Sequence, residues 1–318
     1  MAARVFAFVV AIAMVLGAIA IRGALDDDGG GDDGPAQLRL VCATELAAVC
    51  EAFDKAEPAV RVTIEAAAVT ANRLISATPA DAGIDGWLAP GPWGAIVDAG
   101  RGTAAEALFA GTGAALARSP FVLAVWKTSR ALLGCADPAD LACVGDAVRA
   151  RGFRLGAAAD DQAEGVLADA ALAAAHAKNP DFATNDLSET DLSDWLTVVD
   201  TSMDRVGGNP GGRSFTGLLA FGPAAADAFL GTEAVIAPQL ASAARRSELD
   251  VATVVPGAAA DVLVSPRIGD RGERLARLVR TDRVLAALRA NGWQSPRSGE
   301  NDGLPSAGVL QALRDLTK

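Results

Sequence analysis

Four cysteines stand in two pairs of equal spacing, Cys42 with Cys50 and Cys135 with Cys143. Two chemistries suit that pattern, a pair of local disulfides or a thiolate metal site. Zinc prefers close CxxC-like pairs or histidine partners, and the single histidine, His176, falls in an Ala-rich stretch. Disulfides are therefore the expectation for a chain in an oxidising compartment. Four cysteines allow three pairings, and spacing alone does not choose among them. The segment CADPADLAC at 135–143 carries Pro138 and reads as a surface loop that a bridge could close.

The other reactive-looking groups sit where strands run into helices. Such junctions leave unpaired N–H groups at the strand's carboxyl end, where open parallel sheets hold ligands. Thr44 follows the apolar run LRLVCA and suits either a ligand hydroxyl or a helix N-cap. Glu45 beside it favours a helix start and would repel an anion, which points to a cationic or neutral ligand. Thr70 and Asn72 are read into the turn after the second strand, as ligand donors or turn formers. Asp85 and Trp87, in DGW, pair a carboxylate with an indole that can stack a ligand or fill a core. Ser119 precedes Pro120 and the longest apolar strand. Asp160, Asp161 and Gln162 open a long helix and form the counterpart of Thr44, while Arg213 and Ser214 follow a glycine loop.

Catalytic signatures are missing from this set. No GxSxG elbow occurs, and no phosphate-cradling glycine motif follows a strand. Asp160 and Asp161 are adjacent, so their side chains point apart. No catalytic residue, cofactor or metal is expected, and the chain reads as a non-enzyme.

The elements that must position these residues alternate. The run from Leu38 leads into an amphipathic helix with Leu46, Val49, Cys50 and Phe53 on one side. Strands are expected at 60–66, 84–88, 121–126, 153–158, 232–240, 249–255 and 261–265. Helices are expected at 104–116, 146–149, 162–178, after Ser188 through Trp195, at 215–229, 273–280, 282–290 and 308–316. Strands alternating with helices argue an α/β protein with a parallel sheet.

With 318 residues and 51% hydrophobic content, the chain can bury a core large enough for two lobes. The net charge of −11, with basic residues scattered, gives no footprint for a phosphate backbone, so nucleic acid is not an expected partner. Residues 5–21, VFAFVVAIAMVLGAIAI, form an apolar run behind Arg4. Its 17 residues reach the shortest length that spans a bilayer. Residues 1–24 are read as a retained membrane anchor or a cleaved signal peptide. The acidic stretch 25–36 is a flexible linker. Both alternatives put residues 37–318 outside the cytoplasm.

The order of segments resembles the bacterial extracytoplasmic solute-binding proteins of the molybdate and sulfate type, with the class II periplasmic-binding fold. The matching stretches are LVCATEL, VRVTIEA, DGWLAP, SPFVLAVWK, RLGAAADDQAEG, GTEAVIAPQL, VVPGAAADVLVSP and NGW, covering residues 38–293. The tail GLPSAGVLQALRDL is also similar to solute-binding-like modules found with von Willebrand factor A domains. This resemblance implies two α/β lobes, each a central, mostly parallel sheet flanked by helices. Lobe 1 would comprise 37–118 and 258–318, and lobe 2 would comprise 119–257. It implies a small-molecule or ion ligand between them, an ABC transporter permease or envelope protein as partner, and Thr232 and Glu233 as further ligand contacts. In the family's oxyanion binders, hydroxyls follow the first two strands; Thr44 and Thr70 match in position, but no serine pair does. The alternative is a binding-protein-like module for protein interaction or sensing at the envelope, with a degenerate cleft.

Overall fold

The computed structural model describes residues 37–103, 105–111, 113–207, 213–296 and 303–316. The expected membrane segment at 5–21 and linker at 25–36 lie outside them. Among the described residues, no helix is long and apolar enough to cross a membrane.

Strand β1 (Leu38–Ala43) buries five of its six residues and runs through a 3-10 turn into helix α1 (Ala47–Ala56). The side of α1 carrying Val49, Cys50 and Phe53 faces the core. Then follow β2 (Val60–Glu65), α2 (Ala67–Ser76), β3 (Gly86–Pro90) and α3 (Trp93–Arg101). Strand β4 (Ala117–Trp126) is apolar nearly throughout, as its sequence SPFVLAVW requires of a strand covered on both faces. After it come α4 (Arg130–Leu133), β5 (Ala139–Asp140), α5 (Leu141–Arg151), β6 (Leu155–Ala157), α6 (Ala163–Ala177), α7 (Thr190–Gly207) and α8 (Phe215–Phe221). The chain closes with β7 (Ala228–Thr232), α9 (Glu233–Ser242), β8 (Leu249–Val255), β9 (Ala259–Pro266), α10 (Asp270–Val279), α11 (Asp282–Ala290) and α12 (Ala307–Leu316).

The strand order is β2-β1-β3-β9-β4-β7-β6, with β8 also on β4 and β5 on β8. Strand β1 pairs in parallel with β2 and β3, and β6 pairs in parallel with β7. Antiparallel pairing is concentrated on β4 and β9. Strand β4 divides its partners along its length: Ala117–Pro120 bond to β9, and Phe121–Trp126 bond to β7 and β8. The sheet therefore has two halves joined through one long strand, the first around β1 and the second around β7.

Both cysteine pairs are disulfides, Cys42–Cys50 with an S–S distance of 2.05 Å and Cys135–Cys143 with 2.15 Å. No thiol is left for zinc. Two expected elements are different. Residues 233–242 form a helix rather than a strand, despite the β-branched pair Val235 and Ile236 and the internal Pro238. The strand stands immediately before it, at β7, whose first two residues fall in the stretch read as helix up to Phe229, and that helix ends at Phe221. The Ala-rich 104–116 segment forms no helix among its described residues; Phe109 there pairs with Arg267 instead. Gly111 adopts a φ of 85° and ends any helical run at that point.

Candidate functional site

The two sheet halves meet at the openings of helices, and carboxylates of the chain itself stand there. Glu45 leaves the first half just after β1 and is half-buried. Its Oε1 accepts the backbone N–H of Glu164 at 3.0 Å, in the first turn of α6 in the second half. The Glu164 carboxylate is buried and accepts both the N–H (3.3 Å) and the hydroxyl of Thr232, the residue that opens α9. Ser119 Oγ accepts the next free amide of that helix, from Ala234, at 2.9 Å. One further main-chain bond crosses the seam, from Ala68 N–H at the start of α2 to the Asp161 carbonyl, at 2.9 Å.

This relay governs its own protonation. Burial pushes the Glu164 carboxyl up to about 8, and repulsion from Glu45 adds to the effect. Burial likewise raises Glu45, against hydrogen bonds that favour its ionised form. The amide-rich helix ends that attract anions are thus already satisfied by acidic side chains. The arrangement suits hydrogen-bond donors and cations, and it includes no nucleophile paired with a base. His176 bonds Asp191 at 3.3 Å and stacks on Trp195 with ring centroids 4.4 Å apart.

The residues singled out by sequence fall into four groups. Thr44, Ser119, Thr232 and Glu233 lie along the seam: Thr44 is exposed and donates to Glu45 at 3.3 Å, and Glu233 accepts from Gln294 at 2.7 Å. The N-cap of the turn is Ala43, and Thr44 is its first residue. Thr70 and Asn72 belong to α2 rather than to a turn. Thr70 is fully buried with its hydroxyl on Glu65, and Asn72 Oδ1 accepts from Arg314 at 2.5 Å. Asp85 and Trp87 are interior. Asp85 takes Arg271 Nε and Nη2 at 2.8 Å each and the Arg39 N–H at 2.8 Å. Trp87 is 1% exposed and packs on Trp93, with centroids 5.6 Å apart, so its indole offers no surface for stacking a ligand. Asp160 pairs with Arg213 at 2.8 Å and converges with Asp169 and Asp200.

Glu164 was not singled out by sequence reasoning, although a signal was present. In AEGVLADAALAAAHA the only carboxylates are Glu164 and Asp169, and thirteen of its fifteen residues are buried. A helix apolar all round has no solvent face on which to place an acid.

No protein-family model and no curated protein matches the chain. Solved structures do match it in shape. A periplasmic thiamin binding protein aligns with a TM-score of 0.54 and 12% identity, over 87% of each chain. The periplasmic binding protein AfuA from Actinobacillus pleuropneumoniae, with fructose-6-phosphate bound, aligns with 0.53 and 12%, over 85% of this chain and 88% of that one. The chain has the periplasmic-binding-protein fold. At this identity the likeness concerns the fold alone.

Proposed function

We propose that the chain is an extracytoplasmic binding protein that captures a small neutral or cationic ligand between two lobes, residues 37–118 with 258–318 and residues 119–257. It would deliver that ligand to an ABC-type transporter or a sensor. The observation that carries this reading is the seam, where Thr44 and Glu45 from one half face Glu164, Thr232 and Glu233 from the other. The fold likeness supports a binding role, and the neighbours named for thiamin and for fructose-6-phosphate give no single ligand class. The occupied helix openings favour that choice, since N–H groups that an anion would use already bond to Glu45, Glu164, Ser119 and the Asp161 carbonyl. Two disulfides suit an oxidising compartment, and the apolar run 5–21 would export or tether the chain.

A thermal-shift panel of cationic, neutral and anionic small molecules on the full chain tests this. Binding to the folded state alone raises the midpoint by mass action. A cationic or neutral polar compound is expected to raise it, with the response lost in Glu45→Gln. A response confined to oxyanions would overturn the ligand class.

A second reading has its own observation. Helix α12 packs against α3 of the first half and α6 of the second, and a Cβ at Gly91 would lie 3.1 Å from Leu167. That seam has an apolar filling beside its polar one. It suits an envelope interaction module with a degenerate cleft, and a flat result over the whole panel would favour it.

A further inference from the structure

Three aspartates of the second half converge near one arginine, Arg213. Asp160 lies in the loop before α6, Asp169 on the second turn of α6, and Asp200 on α7. One carboxylate oxygen from each lies within 4.8 Å of the others. Arg213 bonds both oxygens of Asp160 at 2.8 and 3.4 Å, and its charge also acts on Asp169 and Asp200. Asp169 is 5% exposed and has no hydrogen bond or ion pair among the described residues. Asp200 Oδ1 is buried and likewise without a partner. A buried carboxylate without a partner is normally avoided, because nothing replaces the water it has lost. Here Asp169 is such a group, and it faces the same point as the buried Asp200 Oδ1.

We propose that Asp160, Asp169 and Asp200 bind a divalent cation of the calcium, magnesium or manganese class. The donor set is oxygen only, which such hard cations prefer and which zinc or copper sites generally supplement with histidine or cysteine. The spacing agrees. With metal–oxygen distances of about 2.1 to 2.4 Å, ligands on opposite sides of an ion stand about 4.2 to 4.8 Å apart, and neighbouring ligands stand closer. Burial, then repulsion from Asp160, pushes the Asp169 carboxyl well above its ordinary range, and the same causes raise Asp200. A cation would also tie together the 158–162 loop, α6 and α7. Through the Asp161 carbonyl, that loop makes the main-chain bond to α2 across the seam. All three ligands belong to the second half, so the site does not depend on any ligand in the seam.

The test uses the full chain stripped of metal with a chelator and titrated with MnCl2, followed by the electron paramagnetic resonance of free Mn2+. CaCl2 and MgCl2 serve as competitors, and thermal unfolding runs in parallel. One saturable site is expected, with a raised unfolding midpoint. Asp169→Asn and Asp200→Asn should each weaken Mn2+ binding by at least roughly tenfold. Without metal, Asp169→Asn should melt no lower than the parent, because the amide keeps the shape and removes the repulsion. Asp200→Asn, at a less buried position, carries the test if the first variant does not fold. Absence of saturable Mn2+ binding would overturn the proposal, as would parental affinity in both variants.

Discussion

The two halves of the sheet contain the same clamp, built twice. In the first half, Asp85 N–H donates to the Arg39 carbonyl at 2.8 Å, and the Arg39 N–H returns to the Asp85 carboxylate at 2.8 Å. In the second half, Asp227 N–H donates to the Arg154 carbonyl at 2.8 Å, and the Arg154 N–H returns to the Asp227 carboxylate at 2.9 Å. Each aspartate directly precedes a central strand, β3 or β7, and each takes a guanidinium. Burial alone would raise both carboxyls, but the arginine hydrogen bonds and charges outweigh it and hold them below their ordinary range. The helix openings at the seam differ. Helix α1 has a solvent face and is stapled to β1 by Cys42–Cys50, whereas α6 is enclosed by α5, α7 and α12. The same topology therefore places one carboxylate, Glu45, where it can move into water, and another, Glu164, where it cannot.

That difference has a sign that can be measured. Glu164 in the folded chain keeps its proton up to about pH 8, against an ordinary value of 4.5. Between those limits the native state binds more protons than the unfolded one. Stability should therefore fall as pH rises through the window, by at most about 1.4 kcal/mol per pH unit for one group. The clamps act the other way. Their lowered carboxyls contribute stability above the ordinary aspartate range, and it is lost as pH falls through their folded values. Urea midpoints at pH 5, 6.5 and 8 should decline in the parent and decline less in Glu164→Gln, with the other raised carboxyls, Asp169, Glu45 and Asp200, carrying the remainder. An unchanged decline in the variant would mean that Glu164 is ionised in the fold.

The clamps provide the next largest effect. Removing one partner of a buried ion pair costs about 3 to 5 kcal/mol when both groups are enclosed. Arg271 and Arg154 keep partly exposed side chains, so about 2 to 3 kcal/mol is the expectation for Asp85→Ala and for Asp227→Ala. The two losses should be alike in equilibrium unfolding. Asp227 also accepts from Ser129 at 2.8 Å, which makes it the more costly of the two by a small margin. A large loss in one half with none in the other would break the equivalence of the two clamps.

How much of this was legible in the sequence depended on distance along the chain. The cysteine pairs are eight residues apart, and their bridges were readable as local loops. The strand LRLVCA and the strand FVLAVW followed from continuous apolar character. By contrast, Arg271 lies 186 residues from Asp85, and no local pattern joins them. The β7–α9 boundary was misread because Val235 and Ile236 favour a strand by propensity, while the true strand, AFLGT, is five residues long and contains a glycine. Packing decided there, as α9 lies over β4. Within the candidate site, Thr44 was singled out from its place after a strand, and Thr232 only through the family resemblance, since it was read as the start of a strand rather than its end. Glu164 went unread, although it stands in a helix that is apolar nearly all round.

Thr44 gives the smallest effect on stability and the sharpest separation of roles. Were it a helix cap, its replacement would cost about 1 kcal/mol. It follows the N-cap, Ala43, and its side chain is exposed and touches Glu45 through a 3.3 Å hydrogen bond. Thr44→Ala should therefore leave the unfolding free energy within about 0.5 kcal/mol of the parent. Because Thr44 stands at the open end of the relay that runs through Glu45 to Glu164, the same substitution should reduce the thermal shift produced by any ligand that enters the seam. A variant with normal stability and a weakened ligand response would set the solvent-facing opening of the first half apart as the recognition pole and leave the enclosed opening of the second half as its support. A stability loss of about 1 kcal/mol with the ligand response intact would reverse that assignment.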